Sequence, residues 1–136
     1  MNNAVYDEFL KSDDTLRVYA GNTLLFSSTR SRLLALLEYI DRSAPNQQQV
    51  TILDKIMGNA AALLSVKAGC QEVCSPLGSR LAVGTLEKHG IKYRLSRIVP
   101  HISRAHTEEM CPMEKLSIGK DPEEFYLALK PILNQQ

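Results

Sequence analysis

Residues 49–69, "QVTILDKIMGNAAALLSVKAG", decide the fold. The run 50–53 is β-branched and its apolar stretch is continuous, as a central strand buried on both faces requires. It passes directly into "KIMGNAAALLSVKAG" (55–69), an alanine-rich helix stopped at Gly69. A strand feeding straight into a helix is half of a strand–helix–strand unit. Such units in series pair their strands in parallel through right-handed crossovers.

The pattern repeats downstream. "CQEVCS" (70–75) reads as a second strand, and Pro76 leads into a helix over "LGSRLAVGTLEKHG" (77–90) that Gly90 ends. "IKYRLSRIV" (91–99) is a third strand, and after Pro100 comes an irregular segment. Asp121 then caps a tail helix, with Pro122 and acidic residues in the first turn, where they suit the helix dipole. Upstream, "TLRVYA" and "TLLFSS" flank Gly21-Asn22, a turn signal between β-rich runs, and read as a hairpin. "SRLLALLEYID" (31–41) is helical, with Ser31 as its cap and an end before Pro45. Residues 3–11 place Val5, Phe9 and Leu10 on one helical face. The chain, 1–136, thus reads as one α/β domain with a mixed sheet of about five strands and helices on both faces.

Bulk composition excludes several functions. At 136 residues, 44% hydrophobic and 23% charged, the chain is an ordinary globular sequence able to bury a core. Sixteen basic residues against fifteen acidic ones leave a net charge of +1, which offers no electrostatic case for nucleic acid or an anionic membrane as partner. Without tryptophan there is no evident stacking platform for bases. The longest apolar run, "NAAALLSV", is too short to span a bilayer. The N-terminus has no apolar signal core, and three cysteines cannot all pair within one chain; both point to the cytoplasm.

Helix–hairpin–helix–strand–helix–strand–helix–strand is the element order of the cytidine-deaminase-like fold, a three-layer α-β-α sandwich. "LDKIMGNAAALL" (53–64), "IVPHI" (98–102) and "CPMEK" (111–115) sharpen the likeness. Together they resemble a family of small uncharacterised bacterial proteins, a domain of unknown function on that fold. The resemblance runs from the hairpin to the tail and implies the fold. It also implies a loss. Catalytic members hold zinc with a His or Cys two residues before a Glu, and with a P-C-x-x-C pair. The corresponding places here read "STRSRLLAL" and "LDKIMG", so both ligand sets are missing and no metal is expected there.

Candidate site residues gather beyond the carboxyl ends of the parallel strands, where open α/β sheets bind ligands. Asp54, Lys55 and Gly58 end the central strand; a carboxylate, an ammonium and a helix start suit a polar ligand with an anionic group. Equally, Asp54 is a helix cap and Gly58 a point of close packing. Ser75 ends the next strand, and Cys74 beside it suits a small buried residue. Cys70 and Cys74 share a strand face but stand more than about 10 Å apart along it, too far to share one zinc. The segment "HTEEMCPMEK" (106–115), with Arg104 before it, brings His106, Cys111 and Glu114. His101, His106 and Cys111 recur every five residues, but zinc signatures carry closer pairs. A reactive Cys111 needs a basic neighbour, for which His106 and Arg104 are candidates. The plain alternative is a turn at Pro112, Met113 anchored in the core and Glu114 in an ion pair. Arg30 and Arg32 open the second helix, where they oppose its dipole and an anionic partner would offset the cost.

Two functions therefore stay open. The first is a binding or sensing module for a small anionic or nucleotide-like ligand, held by Asp54, Lys55, Gly58, Ser75 and Arg104. The second is an enzyme with a rebuilt centre, using Cys111 as nucleophile or thiolate ligand and Asp54 or Glu114 for proton transfer. A small homodimer with a vestigial pocket is the structural alternative. No cofactor is indicated.

Overall fold

The computed structural model describes residues 2–43 and 49–133, apart from the side chain of Arg32. The stop expected before Pro45 and the role expected of Arg32 fall outside what is described. Among the described residues the elements are α1 (Asn3–Lys11), β1 (Leu16–Ala20), β2 (Thr23–Ser28), α2 (Arg32–Ser43), β3 (Val50–Asp54) and α3 (Asn59–Lys67). They continue with β4 (Cys70–Ser79), α4 (Arg80–Lys88), β5 (Lys92–Val99), α5 (Pro112–Ser117) and α6 (Pro122–Leu133). The five strands form one sheet in the order β2-β1-β3-β4-β5. β3, β4 and β5 run parallel, while β1 pairs antiparallel with both β2 and β3. This is the mixed α/β sheet expected from the strand–helix series and the hairpin.

Strand alternation sorts the core into two unequal halves. Val18, Ile52 and Val73 stand side by side on one face. With Leu16 they pack against α2, α3, α4 and α6 in the larger cluster. On the other face Tyr19, Leu53 and Cys74 pack with Tyr6 and Phe9 of α1. The buried side of α1 is therefore Tyr6–Phe9, three apart on the helix, and Leu10, expected to be buried, is 38% exposed. β3 is buried at all five positions, as its unbroken apolar run requires. α3 is buried from Asn59 to Ser65 and touches α2, α4, α5 and α6. A helix enclosed on all sides gains from alanines, whose small side chains let neighbours approach.

Three boundaries differ from expectation. α3 begins at Asn59 and not at Lys55, because Met57 rejoins the sheet: its N–H donates to the Leu77 carbonyl (2.8 Å), and Ser79 N–H donates to the Met57 carbonyl (3.1 Å). That bridge in turn extends β4 through Pro76 to Ser79, with Ser75 facing Leu95 and Leu77 facing Arg97 on either side of the proline. α4 then starts at Arg80, capped by Ser79, whose Oγ accepts from Ala82 N–H. Lastly, part of the irregular segment is a short helix, α5, opened by Pro112. The tail helix α6 has the expected cap, and it is reciprocal. Asp121 Oδ1 accepts from Glu124 N–H (2.7 Å), and Glu124 Oε1 accepts from Asp121 N–H (3.0 Å). Among the described residues no helix is long and apolar enough to cross a membrane.

Candidate functional site

A cavity of about 260 Å³ lies where the start of α2, the β3–α3 junction and the segment before α5 meet. Its wall includes Leu34 from α2, Asp54 and Gly58 from the junction, Ala61 from α3, Cys111 just before α5 and Glu114 within it. The third element arrives by doubling back after β5. Ser103 bridges Met110, Arg104 N–H donates to the Glu109 carbonyl (2.8 Å), and Cys111 N–H donates to the Ile102 carbonyl (2.8 Å). His106, in the left-handed region at φ 64°, makes the reversal. Pro112 at the first turn of α5 then starts the helix that carries Glu114 inward.

Glu114 is the pivot of the site. It is 2% exposed; its Oε1 accepts from Asn59 N–H (2.6 Å) and its Oε2 from Ile102 N–H (2.9 Å). Asn59 is the first residue of α3, whose N-cap, Gly58, has no side chain to offer. A carboxylate from 55 residues downstream therefore caps this helix, at the end that favours negative charge. Gly58 is required by the same contact. A β-carbon there would lie 2.9 Å from both Glu114 Oε1 and Ile102 Cγ1. Around this cap runs a polar network, buried at Asn59 and Ser117 and half-buried at Thr85. Asn59 Nδ2 donates to Ser117 Oγ (3.0 Å), the Thr85 hydroxyl donates to Asn59 Oδ1, and Ser117 Oγ donates to the Glu114 carbonyl (2.6 Å). The network ties α3, α4 and α5 together, and Asn59, Thr85 and Ser117 were not among the expected site residues. Three small polar residues scattered over 59 positions carry no sequence signal.

The remaining candidates divide. Asp54, 5% exposed, lies in the cavity wall, where its Oδ1 accepts from Ile56 N–H (3.2 Å). Cys111, 9% exposed, lies in the same wall. Lys55, one residue on, points to the opposite face: its Nζ donates to the Ser12 carbonyl (2.8 Å) and sits 4.7 Å over the Phe9 ring. Ser75 is fully buried and its hydroxyl donates to the Leu77 carbonyl (2.9 Å). Arg104 is exposed at the reversal, 3.7 Å from Glu109. None of these three lines the cavity, so the expected convergence of Lys55, Ser75 and Arg104 on Asp54 does not occur. His106 is exposed, and His101 Nε2 meets the Glu108 carbonyl. Among the described residues no three His, Cys, Asp or Glu side chains are grouped to hold a metal. Burial pushes the thiol of Cys70 up to about 12 and that of Cys74 up to about 11.

A second, charged cleft of about 320 Å³ adjoins the first and shares Leu34 and Leu133 with it. Arg30 and Arg42 line it. Glu38 stands between them, one oxygen 3.7 Å from Arg30 and the other 2.9 Å from Arg42. Asp41 turns to the Tyr126 hydroxyl (2.6 Å) and Lys130 (3.3 Å).

Sheet, helices and cavity together define a small α/β protein with a largely apolar chamber walled in part by two buried carboxylates. The chain is similar to the crystal structure of a DUF1893 family protein (TM1506) from Thermotoga maritima, with a TM-score of 0.84 and 25% sequence identity over 98% of this chain and 88% of that one. The family described as a domain of unknown function (DUF1893) matches residues 5–133, and the chain belongs to it. No curated protein matches the chain.

Proposed function

We propose that this chain is a binding or sensing module for a small ligand, built on a cytidine-deaminase-like scaffold, with the chamber between α2, α3 and α5 as its site. One observation carries the reading. A cavity with mostly apolar walls and a few buried polar groups has the composition of a small-molecule site. Its position at the starts of α2 and α3, where the resemblance puts the zinc ligands of catalytic relatives, supports the scaffold assignment.

The chamber also favours one kind of ligand body. Its charged wall residues, Asp54 and Glu114, are acceptors when ionised. Glu114 already fills the anion position at the head of α3. A compact heterocycle with N–H donors, the nucleotide-like half of the expected ligand, suits this chamber; an anionic group does not. The test is a thermal-shift and calorimetry screen of nucleobases and nucleosides, run beside an Ala61→Leu variant that fills the chamber. Binding by the wild type and loss in the variant is the expected result. A wild type that binds none of them refutes the reading.

A second reading draws on the same wall, where Cys111 stands with Asp54 and Glu114. In it Cys111 is the nucleophile of a rebuilt catalytic centre and Asp54 transfers the proton. It requires Cys111 to react with iodoacetamide at neutral pH faster than a free cysteine does. Slower labelling removes it.

A further inference from the structure

We infer that the chamber and the charged cleft are two halves of one site, and that its ligand is a phosphomonoester with a heterocyclic body. The body occupies the chamber and the phosphate lies at Arg30 and Arg42. The inference rests on the chamber reading above and extends it to the part of the ligand that the chamber cannot hold.

Continuity is the first argument. Leu34 and Leu133 belong to both walls, and Arg30 in the cleft directly precedes Ser31 in the chamber. The halves therefore share part of one wall. Size is the second. Ligand sites span roughly 300–1,000 Å³. The chamber, at about 260 Å³, falls below that range, and the adjoining cleft of about 320 Å³ brings the pair within it.

Charge is the third argument. Glu38 carries one negative charge between two guanidinium groups, so the triad is left with net positive charge. Asp41, the other acid of the cleft, faces Tyr126 and Lys130. Glu38 also brings both guanidiniums to one carboxylate. Each carries five N–H donors in a planar fork, of which one carboxylate takes only part. Paired guanidiniums match the several oxygens and the charge of about −1.5 to −2 on a phosphomonoester. Arg30 stands two residues before the first residue of α2, where a cation opposes the helix dipole and a bound anion offsets that opposition.

The experiment is isothermal titration of the full chain with the four ribonucleosides, their 5′-monophosphates and inorganic phosphate. It compares the wild type, an Arg30→Ala/Arg42→Ala double variant and Ala61→Leu. Both arginines are more than half exposed, so the double variant keeps its fold, which its circular dichroism melt verifies. At least one monophosphate is expected to bind about tenfold or more tighter than its nucleoside, the effect of about one charge-assisted contact. The double variant is expected to erase that difference and leave nucleoside affinity unchanged, whereas Ala61→Leu lowers both. Equal affinity for nucleoside and monophosphate, or an increment that survives in the double variant, overturns the two-part site while the chamber reading stands. Inorganic phosphate binding as tightly as the monophosphate also overturns it. If no nucleobase, nucleoside or monophosphate binds the wild type, both readings fall.

Discussion

Replacing Glu114 with alanine removes the cap of α3 and the anchor of the reversal before α5 in one step. Two backbone donors, Asn59 N–H and Ile102 N–H, lose their acceptor in surroundings that are buried at both. Each buried donor left unmatched costs about 1–3 kcal/mol, and bonds to a charged acceptor lie toward the upper part of that range. A loss of about 3–5 kcal/mol is expected, against a total stability of about 5–15 kcal/mol for a domain of this kind. Urea titration at pH 7 reads it as a lower midpoint with an unchanged slope. Glu114→Gln retains one acceptor oxygen but presents an amide N–H₂ to the other donor, so it falls between alanine and wild type. Native-state hydrogen exchange locates the effect, because Asn59 and Ile102 lose protection more than amides of β3 do. A loss below about 1 kcal/mol for Glu114→Ala, with both amides still protected, would refute the assignment of Glu114 as the cap.

The two glycines Gly58 and Gly84 are expected to answer alanine with opposite signs in the same urea assay. Gly58→Ala drives a methyl into Glu114 and Ile102 and lowers stability by about 1–3 kcal/mol. Gly84→Ala, exposed within α4 with nothing within 4 Å of the new carbon, raises it by about 0.5–1 kcal/mol. For the cysteines, the folded thiols of Cys70 and Cys74 sit above the unfolded value of about 8.5. Their contribution is therefore full below pH 8.5 and declines as pH rises toward 11–12, by up to about 1.4 kcal/mol per pH unit for each thiol. Stability measured from pH 8 to 11 is expected to fall more steeply in the wild type than in a Cys70→Ala/Cys74→Ala variant. Parallel curves would rule this out.

The parts of the fold visible in the sequence are those coded by local pattern. The unbroken run of β3, the Gly21-Asn22 turn, the Asp121 cap and the glycine stops all act within a few residues, and each lies where it was expected. Pro76 misled because its helix-starting role depends on what pairs beside it. Here Met57, nineteen positions earlier in the chain, keeps β4 extended past the proline. The site shows the same division. Asp54, Gly58, Cys111 and Glu114 were legible as residues at strand ends and in a polar run, and all four line the chamber. Lys55 lies outside the chamber because adjacent residues leave a strand on opposite faces, which sends its ammonium to Phe9. The capping role of Glu114 was invisible, since a hydrogen bond across 55 residues leaves no spacing to read.

That distance has a consequence for how the protein is made. During synthesis the strand β3 and helix α3 leave the ribosome long before Glu114 does, and synthesis is slow enough for short elements to form first. Until residue 114 emerges, the head of the central helix must take its acceptor from water. Glu114 thus works as a latch on a nascent chain. The helix that the other helices surround is closed by a residue translated 55 positions after its own head, so a chain cut short of Glu114 leaves that head open to water.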